Sequence, residues 1–118
     1  KAINILESDD QKDMLAVKKG SDITLLELKD IFMFRVEEKQ VKVFTQNNEY
    51  VIKKPLYQLE ESLTCDFVRI SKTTIINLKK VERVAPSLKG MMFIQLKNGL
   101  KDNISRKYLP GFKQALDL

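Results

Sequence analysis

The side chains with most chemical potential in this sequence are cations, and they concentrate in its second half. Residues 1–67 carry 10 basic and 13 acidic side chains, whereas residues 68–118 carry 11 and 3, so the net charges are −3 and +8. A basic bias confined to one segment suits a surface that faces phosphates, because neutralising phosphates and releasing counterions supplies most sequence-independent affinity for nucleic acids. The charge alone therefore predicts a polyanionic partner, and it leaves an acidic protein open beside nucleic acid.

The composition argues against catalysis and metal binding. The chain has a single cysteine, Cys65, and no histidine, so it offers neither a thiolate–imidazole pair nor four ligands for structural zinc. Adjacent carboxylates occur at Asp9-Asp10, Glu37-Glu38 and Glu60-Glu61. They fall in polar turns or on a predicted helix, where a solvated surface is the simpler interpretation. We predict no catalytic residue, no cofactor and no metal, and we interpret Cys65 as a half-buried filler with a free thiol, which fits the bacterial cytoplasm.

The spacing of apolar and turn residues predicts an all-β fold of mainly antiparallel short sheets with one or two short helices. The predicted helices run from Leu56 to Leu63, after Pro55, and from Pro110 to Leu116, and Ser105 is a candidate helix cap. Asn98-Gly99 predicts a two-residue hairpin turn. The predicted strands are Met14–Lys18, Ile23–Leu26, Ile31–Val36, Val41–Thr45, Tyr50–Lys53, Phe67–Ile70, Thr74–Ile76, Val81–Ala85, Met91–Leu96 and Lys101–Ile104.

The chain is predicted to hold one domain, residues 13–118, preceded by the end of an N-terminal appendage, residues 1–12. In the appendage, Ile3 and Leu6 stand at helical spacing before a charged break. Within the domain, Val41 and Val43 share one face of their strand, and the face that carries Lys42 and Phe44 is expected to be wetter, although Phe44 suggests partial cover.

One stretch carries the most specific pattern. An aromatic–x–Arg opening, a polar loop, an apolar pair and an Asn occur in Phe67-Val68-Arg69-Ile70-Ser71-Lys72-Thr73-Thr74-Ile75-Ile76-Asn77-Leu78, and after a hairpin comes Ile104-Ser105-Arg106-Lys107-Tyr108. In order and spacing these segments resemble the signature of LytTR-type DNA-binding domains, and the resemblance covers roughly residues 20–116. It implies small antiparallel sheets whose loops enter successive major grooves of duplex DNA.

The resemblance implies base contacts from two C-terminal turns. Arg106 has the planar fork that pairs with O6 and N7 of guanine, and Ser105 with its neighbouring amides is expected to bind a phosphate. Lys72, flanked by Ser71 and Thr73, stands where family members often carry an Asn, so its contact is either a guanine or a phosphate.

A third contact is expected from the turn between the strands that end near Val36 and begin near Val41. Its two glutamates repel phosphates, so Lys39 and Gln40 are the residues expected to carry the contact. For Arg69, a DNA contact and a structural hydrogen-bonding role are given equal weight. General phosphate partners are expected among Lys53, Lys54, Lys79, Lys101 and Lys107.

The resemblance further implies sequence-specific binding to direct repeats, with two protomers per operator, by a stand-alone regulator that a small inhibitory membrane protein restrains. Two alternatives come from other classes: a β-rich protein-interaction module with a basic docking face, and a binder of single-stranded RNA. The RNA binder needs exposed rings on one face, whereas Phe34, Phe44, Tyr50 and Phe67 fall in apolar runs.

Overall fold

The computed structural model describes residues 14–64 and 66–117, and over these residues the fold is all-β with two short helices. The appendage, residues 1–12, and Cys65 lie outside the described residues. The strands are β1 (Met14–Lys19), β2 (Asp22–Glu27), β3 (Met33–Glu37), β4 (Gln40–Phe44), β5 (Glu49–Ile52), β6 (Phe67–Ser71), β7 (Thr74–Asn77), β8 (Val81–Pro86), β9 (Met92–Leu96) and β10 (Lys101–Ile104), and the helices are α1 (Leu56–Ser62) and α2 (Leu109–Ala115).

The strands form two antiparallel sheets. The larger sheet has seven strands in the order β2-β1-β5-β4-β3-β7-β6, and the smaller has three in the order β10-β9-β8. Strands that follow one another in the chain mostly pair directly, as in the β1–β2, β3–β4, β6–β7 and β9–β10 hairpins. These hairpins have short turns. Because β3 pairs with β7, the β3–β4 and β6–β7 hairpins are neighbours in the sheet.

The central strands β3, β4 and β7 of the seven-stranded sheet are covered on both faces. Phe34, Val43 and Ile75 point to the face covered by α1, and they pack there with Leu56 and Leu59. Their strand neighbours point the opposite way, because side chains alternate along a strand, and they form a second core with the smaller sheet and α2. This second core contains Met33, Phe44, Ile76, Ile94, Leu96, Ile104 and Phe112.

Two local expectations from the sequence are wrong. The face that carries Phe44 is not the wetter one, because Phe44 is only 7% exposed and packs under the smaller sheet. The turn at Asn98-Gly99 is longer than two residues: the Leu96 amide donates to the Leu100 carbonyl oxygen over 2.8 Å, so Lys97, Asn98 and Gly99 form a three-residue loop. Gly99 has a φ of 94°, a conformation that favours glycine.

Ser105 does not cap the C-terminal helix. Helix α2 begins at Leu109, with Tyr108 at the capping position, and a turn over residues 106–108 separates it from Ser105. The Ser105 amide donates to the Ile70 carbonyl oxygen over 2.9 Å, and the Ser105 hydroxyl is buried without a hydrogen-bond partner among the described residues. Ser105 therefore joins the α2 turn to β6.

Candidate nucleic-acid interface

The structure brings the two C-terminal turns of the signature together. Lys72 and Thr73 form the turn between β6 and β7, since Ser71 pairs with Thr74 across the hairpin. The hydrogen bond from Ser105 to Ile70 fixes the β10–α2 turn beside the end of β6, two residues before that hairpin turn begins. Lys72 and Arg106 are both exposed. Two cations that are 34 positions apart in the chain thus lie on neighbouring turns.

Arg69 connects these turns through its guanidinium group. Its Nε donates to the Ser71 carbonyl oxygen over 2.8 Å, and its Nη2 donates to the Lys72 carbonyl oxygen over 2.7 Å. Its Nη1 donates to Glu60 Oε1 of α1 over 2.8 Å, and the guanidinium carbon lies 5.9 Å from the centre of the Tyr108 ring. These contacts are structural, and they hold the β6–β7 turn against α1 and the Tyr108 turn.

The hydroxyl groups of the β6–β7 turn also shape the turn itself. The Thr73 amide donates to Ser71 Oγ over 3.2 Å, and the hydroxyl oxygens of Ser71 and Thr73 are 3.2 Å apart. Ser71 is half-buried, while Lys72 and Thr73 are exposed. The side chains that reach outward from this turn are therefore those of Lys72 and Thr73, on a backbone fixed by Ser71 and Arg69.

The third expected loop is a tight two-residue hairpin. Glu37 pairs with Gln40, and the two residues between them, Glu38 and Lys39, have φ angles of 54° and 66°. Positive φ at both central positions is the geometry of a type I′ turn, which follows the right-handed twist of the strands. Asn and Gly are the usual residues at these positions, so the sequence Glu38-Lys39 did not predict this turn type.

A groove of about 740 Å³ joins this hairpin to the β6–β7 turn. Four predicted site residues, Lys39, Gln40, Arg69 and Lys72, line the groove, together with Lys53 and Lys54 at the end of β5. The sequence placed Lys53 and Lys54 only among general phosphate partners. Their position follows from the β4–β5 pair, which sets the end of β5 beside the start of β4.

Some cations near the candidate site form ion pairs with carboxylates, and others do not. Arg35 lies 2.8 Å from Glu37, and Lys42 lies 3.1 Å from Glu49 and 3.7 Å from Glu37. The hydrogen bond to Glu49 is the main cause that raises the pKa of Lys42 above its ordinary value. Both cations pair with Glu37, one of the two glutamates that lie beside the expected DNA contact. Because the charge of Glu37 is compensated, this carboxylate repels a nearby phosphate less strongly.

The remaining site cations carry their charges outward. Among residues 14–64 and 66–117, no carboxylate oxygen lies within 4.0 Å of the charged nitrogens of Lys39, Lys53, Lys54, Lys72, Lys101, Arg106 or Lys107. Lys79 differs, because its ammonium is 3.5 Å from Asp66. Lys101 and Lys107 extend along aromatic rings, 5.8 Å from the centre of Phe93 and 5.7 Å from that of Tyr108.

The orientation of Arg106 involves a segment that the sequence did not single out. Its Nη2 donates to the carbonyl oxygen of Lys89, in the short 3₁₀ turn Leu88–Gly90 between β8 and β9. Lys89 and Gly90 have φ angles of 60° and 75°, which turn the chain back at this point. The adjacent Leu88 is 82% exposed. Nothing in the side-chain pattern of the sequence predicted this contact, because its acceptor is a backbone carbonyl oxygen.

Two polar residues of the signature hold the scaffold. Asn77 is 2% exposed, its side-chain amide donates to the Ile31 carbonyl oxygen over 2.9 Å, and its Oδ1 accepts from the Lys79 amide over 3.0 Å. Thr74 is fully buried and donates to Asp102 of β10 over 2.7 Å. Buried polar groups must be hydrogen-bonded. Asn77 and Thr74 meet this requirement by linking strands to neighbouring segments of the chain.

The described residues lack other obvious sites. Over residues 14–64 and 66–117 there is no cluster of three or more His, Cys, Asp or Glu side chains placed to hold a metal. No helix in that part of the chain has the length and hydrophobicity to cross a bilayer. Phe34 and Phe44 are buried, and Tyr50 and Phe67 are half-buried, so these four rings form no exposed stacking platform of the kind that single-stranded RNA binders use.

An all-β scaffold with cations on neighbouring turns is suited to binding a polyanion such as a nucleic acid, and the comparisons with known proteins assign it to a DNA-binding family. The LytTr DNA-binding domain family matches residues 21–117. The chain therefore belongs to the LytTr DNA-binding domain family. This is a family of DNA-binding regulators and not of enzymes.

Individual relatives extend this result. The chain is 30% identical over 116 residues to an uncharacterized HTH-type transcriptional regulator of Staphylococcus aureus strain bovine RF122 / ET3-1, covering 98% of this chain and 79% of the relative. A protein of strain NCTC 8325 / PS 47 with the same description matches equally. The fold resembles the LytTr DNA-binding domain of a putative methyl-accepting/DNA response regulator from Bacillus cereus, with a TM-score of 0.85 and 17% identity over 90% of this chain and 98% of the other.

The description of the staphylococcal relatives as HTH-type does not match the architecture found here. Helices α1 and α2 have seven residues each and are separated by five strands. A helix-turn-helix needs two consecutive helices joined by a short turn. Residues 14–64 and 66–117 contain no such pair.

Proposed function

We propose that the chain is a transcriptional regulator that reads duplex DNA in the major groove with three turns: β3–β4, β6–β7 and β10–α2. The observation that carries the proposal is the convergence of free cations on these turns, because Lys39 and Lys72 share one groove and Arg106 lies on the neighbouring turn. Phosphate contacts set the register of a protein on DNA, and base contacts specify the sequence.

The three turns have different roles in this proposal. Arg106 reads a guanine through O6 and N7, since its guanidinium is planar and has no carboxylate partner among the described residues. Lys72 contacts a guanine or a phosphate, and the exposed Thr73 beside it adds a polar contact. Lys39 and Gln40 contact the duplex from the third turn. Ser105 takes no part, because its hydroxyl and its amide both face inward.

Further lysines neutralise phosphates around these turns. Lys53 and Lys54 line the same groove as Lys72, and Lys101 and Lys107 flank Arg106 in the sequence. Arg69 supports the reading turns as a positioning residue, because three of its donors are already bound to Ser71, Lys72 and Glu60.

We further propose that two protomers occupy one operator of two direct repeats, in the bacterial cytoplasm, and that a small membrane protein restrains the regulator. The support for this part is the family alone. A single domain of this size covers a short half-site, and pairing on adjacent repeats multiplies the affinity without any change in the contacts.

The test combines sequence selection with a salt series. Duplexes selected from a random pool should contain a repeat at fixed spacing near one helical turn, and the Kd of the selected duplex should rise linearly with salt on a log–log plot. Arg106→Ala should weaken binding by about 10- to 100-fold, the worth of one bidentate base contact. Lys29→Ala is the matched control, because Lys29 is an exposed cation that precedes β3 and so lies at the opposite end of that strand from the β3–β4 turn.

Two results would reject the proposal. One is unchanged affinity in Arg106→Ala. The other is displacement of the selected duplex by an acidic polypeptide as efficiently as by unlabelled operator, which would favour the protein-interaction module with a basic docking face.

A further inference from the structure

Arg106 lies against the turn between β8 and β9. Strand β10 pairs with β9 in an antiparallel register that sets Ile104 opposite Met92. Continuing this register by two residues past the end of β10 brings Arg106 beside Gly90. The side-chain geometry agrees, since a Cβ atom added to Gly90 would lie 3.9 Å from Arg106 Nη2. The guanidinium group of Arg106 therefore passes close to the backbone of this turn.

The backbone of the β8–β9 turn directs one carbonyl oxygen at Arg106. The turn is closed by a hydrogen bond in which the Met91 amide donates to the Leu88 carbonyl oxygen over 3.2 Å. Lys89 and Gly90, between these two residues, have φ angles of 60° and 75°. The peptide group that joins Lys89 to Gly90 is therefore flanked by left-handed residues on both sides, and its oxygen accepts a hydrogen bond from Arg106 Nη2.

This contact uses only part of the hydrogen-bonding capacity of Arg106. A guanidinium group has five N–H donors, and four of them form two edges with two parallel donors each. Nη2 contributes one hydrogen to each edge, so a single acceptor at Nη2 leaves the other edge complete. Guanine presents O6 and N7 in the major groove, and these two acceptors pair with one such edge. The Lys89 carbonyl oxygen thus holds the guanidinium group without blocking a bidentate contact.

The same contact prepares Arg106 for binding. Arginine is among the side chains that lose most rotamer freedom when they are fixed. Over residues 14–64 and 66–117, the Lys89 carbonyl oxygen is the only hydrogen-bond acceptor of the Arg106 side chain. A side chain that is already oriented in the free protein loses less freedom on binding, and this pre-organisation increases affinity.

We infer that the β8–β9 turn sets the orientation in which Arg106 reads guanine, with Gly90 as the positioning residue, an inference that rests on the proposed function of the chain. Glycine suits this position because it adopts a positive φ at no steric cost. Gly90 touches no base and acts through Arg106. The β8–β9 turn therefore supports base reading and is not a fourth reading turn.

Binding to duplexes that carry 7-deazaguanine tests this role. The modified base lacks the N7 acceptor, so it removes one of the two hydrogen bonds that Arg106 donates. In the selected duplex, the relevant guanine is the one whose replacement weakens binding by the wild-type chain but not by Arg106→Ala. We expect the wild-type Kd to rise about tenfold on this replacement. This Kd ratio reports the orientation of Arg106, whereas a general loss of stability weakens binding to both duplexes alike.

Gly90→Pro should bring the Kd ratio close to one. Proline fixes φ at about −65°, so the peptide group that carries the Lys89 carbonyl must rotate away from its place beside Arg106. Gly90→Asn should keep most of the ratio, because asparagine tolerates the left-handed conformation. If Gly90→Pro does not fold, Gly90→Val takes its place, since a β-branched side chain also disfavours a positive φ.

The matched control is Gly20→Pro, which makes the same kind of backbone change in another turn. Gly20 has a φ of 63° and lies between β1 and β2, at the opposite edge of the large sheet from β6. This variant should keep the wild-type Kd ratio. All Kd values are compared below the Tm of each variant.

Each other outcome has a distinct meaning. A wild-type Kd ratio in Gly90→Pro would overturn the inference and leave the proposed function intact. Tighter binding of the unmodified duplex by Gly90→Pro than by the wild type would also overturn it, because the Lys89 carbonyl oxygen would then mask Arg106. A wild-type Kd ratio of one at every guanine would reject guanine reading by Arg106 itself, and the positioning role with it.

Discussion

Replacing Arg69 with lysine separates a positioning role from a phosphate contact. Lysine keeps the positive charge but has one ammonium, so it cannot bind the Ser71 and Lys72 carbonyl oxygens and Glu60 in the way the planar fork does. Hydrogen bonds to charged groups are each worth about 1.5–3 kcal/mol. The lower end applies at this exposed turn, and the half-exposed Glu60 pair adds only about 0.5 kcal/mol. The lysine ammonium can keep one of the two carbonyl hydrogen bonds, so the losses are the other bond, about 1.5 kcal/mol, and the Glu60 pair. We therefore expect Arg69→Lys to lose about 2 kcal/mol of unfolding free energy.

In a domain of this size that loss corresponds to a fall of roughly 8 °C in Tm. Without these contacts, the β6–β7 turn must be ordered when DNA binds. If this ordering costs about 1.4 kcal/mol, the DNA affinity falls tenfold. Because no phosphate contact is lost, the log–log salt slope should stay unchanged, whereas Lys72→Ala should reduce it by about 0.9 if Lys72 binds a phosphate. Thermal unfolding and fluorescence anisotropy measure both quantities.

The control for this change is Arg83→Lys, at an exposed arginine on β8 whose Nε donates to the Gln95 side chain over 3.1 Å and whose guanidinium carbon lies 5.2 Å from the centre of the Phe93 ring. It should alter neither the Tm nor the Kd appreciably. Wild-type affinity and Tm in Arg69→Lys, together with a smaller salt slope in Arg69→Ala, would refute the reasoning, because that combination describes a phosphate contact and not a positioning residue.

Three further changes test other parts of the structure. Asn77→Ala should lower the unfolding free energy by about 2 kcal/mol in a denaturant titration, since it leaves the Ile31 carbonyl and the Lys79 amide without their partner; a loss below about 0.5 kcal/mol would contradict that role. The double change Lys53→Ala, Lys54→Ala should reduce the salt slope by up to about 1.8 without changing which duplex is selected, and an altered selected sequence would mean that these lysines read bases. The raised pKa of Lys42 stabilises the folded chain below its unfolded-state pKa of about 10.4, and this stability is lost as pH rises through the higher folded-state pKa; Lys42→Met should remove that part of the alkaline decline in Tm, and identical pH profiles would contradict it.

The sequence predicted the order and type of the elements well, because apolar alternation and turn residues are local signals. The strand predicted at Ile31–Val36 begins at Met33, and the helix predicted to begin at Pro110 begins at Leu109. The second core was harder to predict. Nothing local shows that Phe44 lies under Ile94 and Ile104, since those residues are far away in the chain and meet only when the smaller sheet packs on the larger one.

In the candidate site, too, the sequence predicted local features better than contacts between distant parts of the chain. Arg106 and Lys72 were singled out by motif, and their neighbouring turns depend on one hydrogen bond between Ser105 and Ile70 that the sequence does not encode locally. Ser105 had the residue type of a helix cap, but the three-residue turn before α2 moved the helix start away from it. The contact between Arg106 and the Lys89 carbonyl was missed because any residue supplies a backbone carbonyl, so no side-chain pattern marks it.

Amide chemical-shift mapping by NMR, with the duplex obtained by selection, tests most directly whether the three turns form one DNA-reading surface. Large shifts are expected at residues 38–40, 71–73 and 105–108, with smaller ones at residues 53–54, and no change at the Asp22–Glu27 strand. Shifts centred on β1–β2 while the turns at Lys72 and Arg106 remain unaffected would contradict this account.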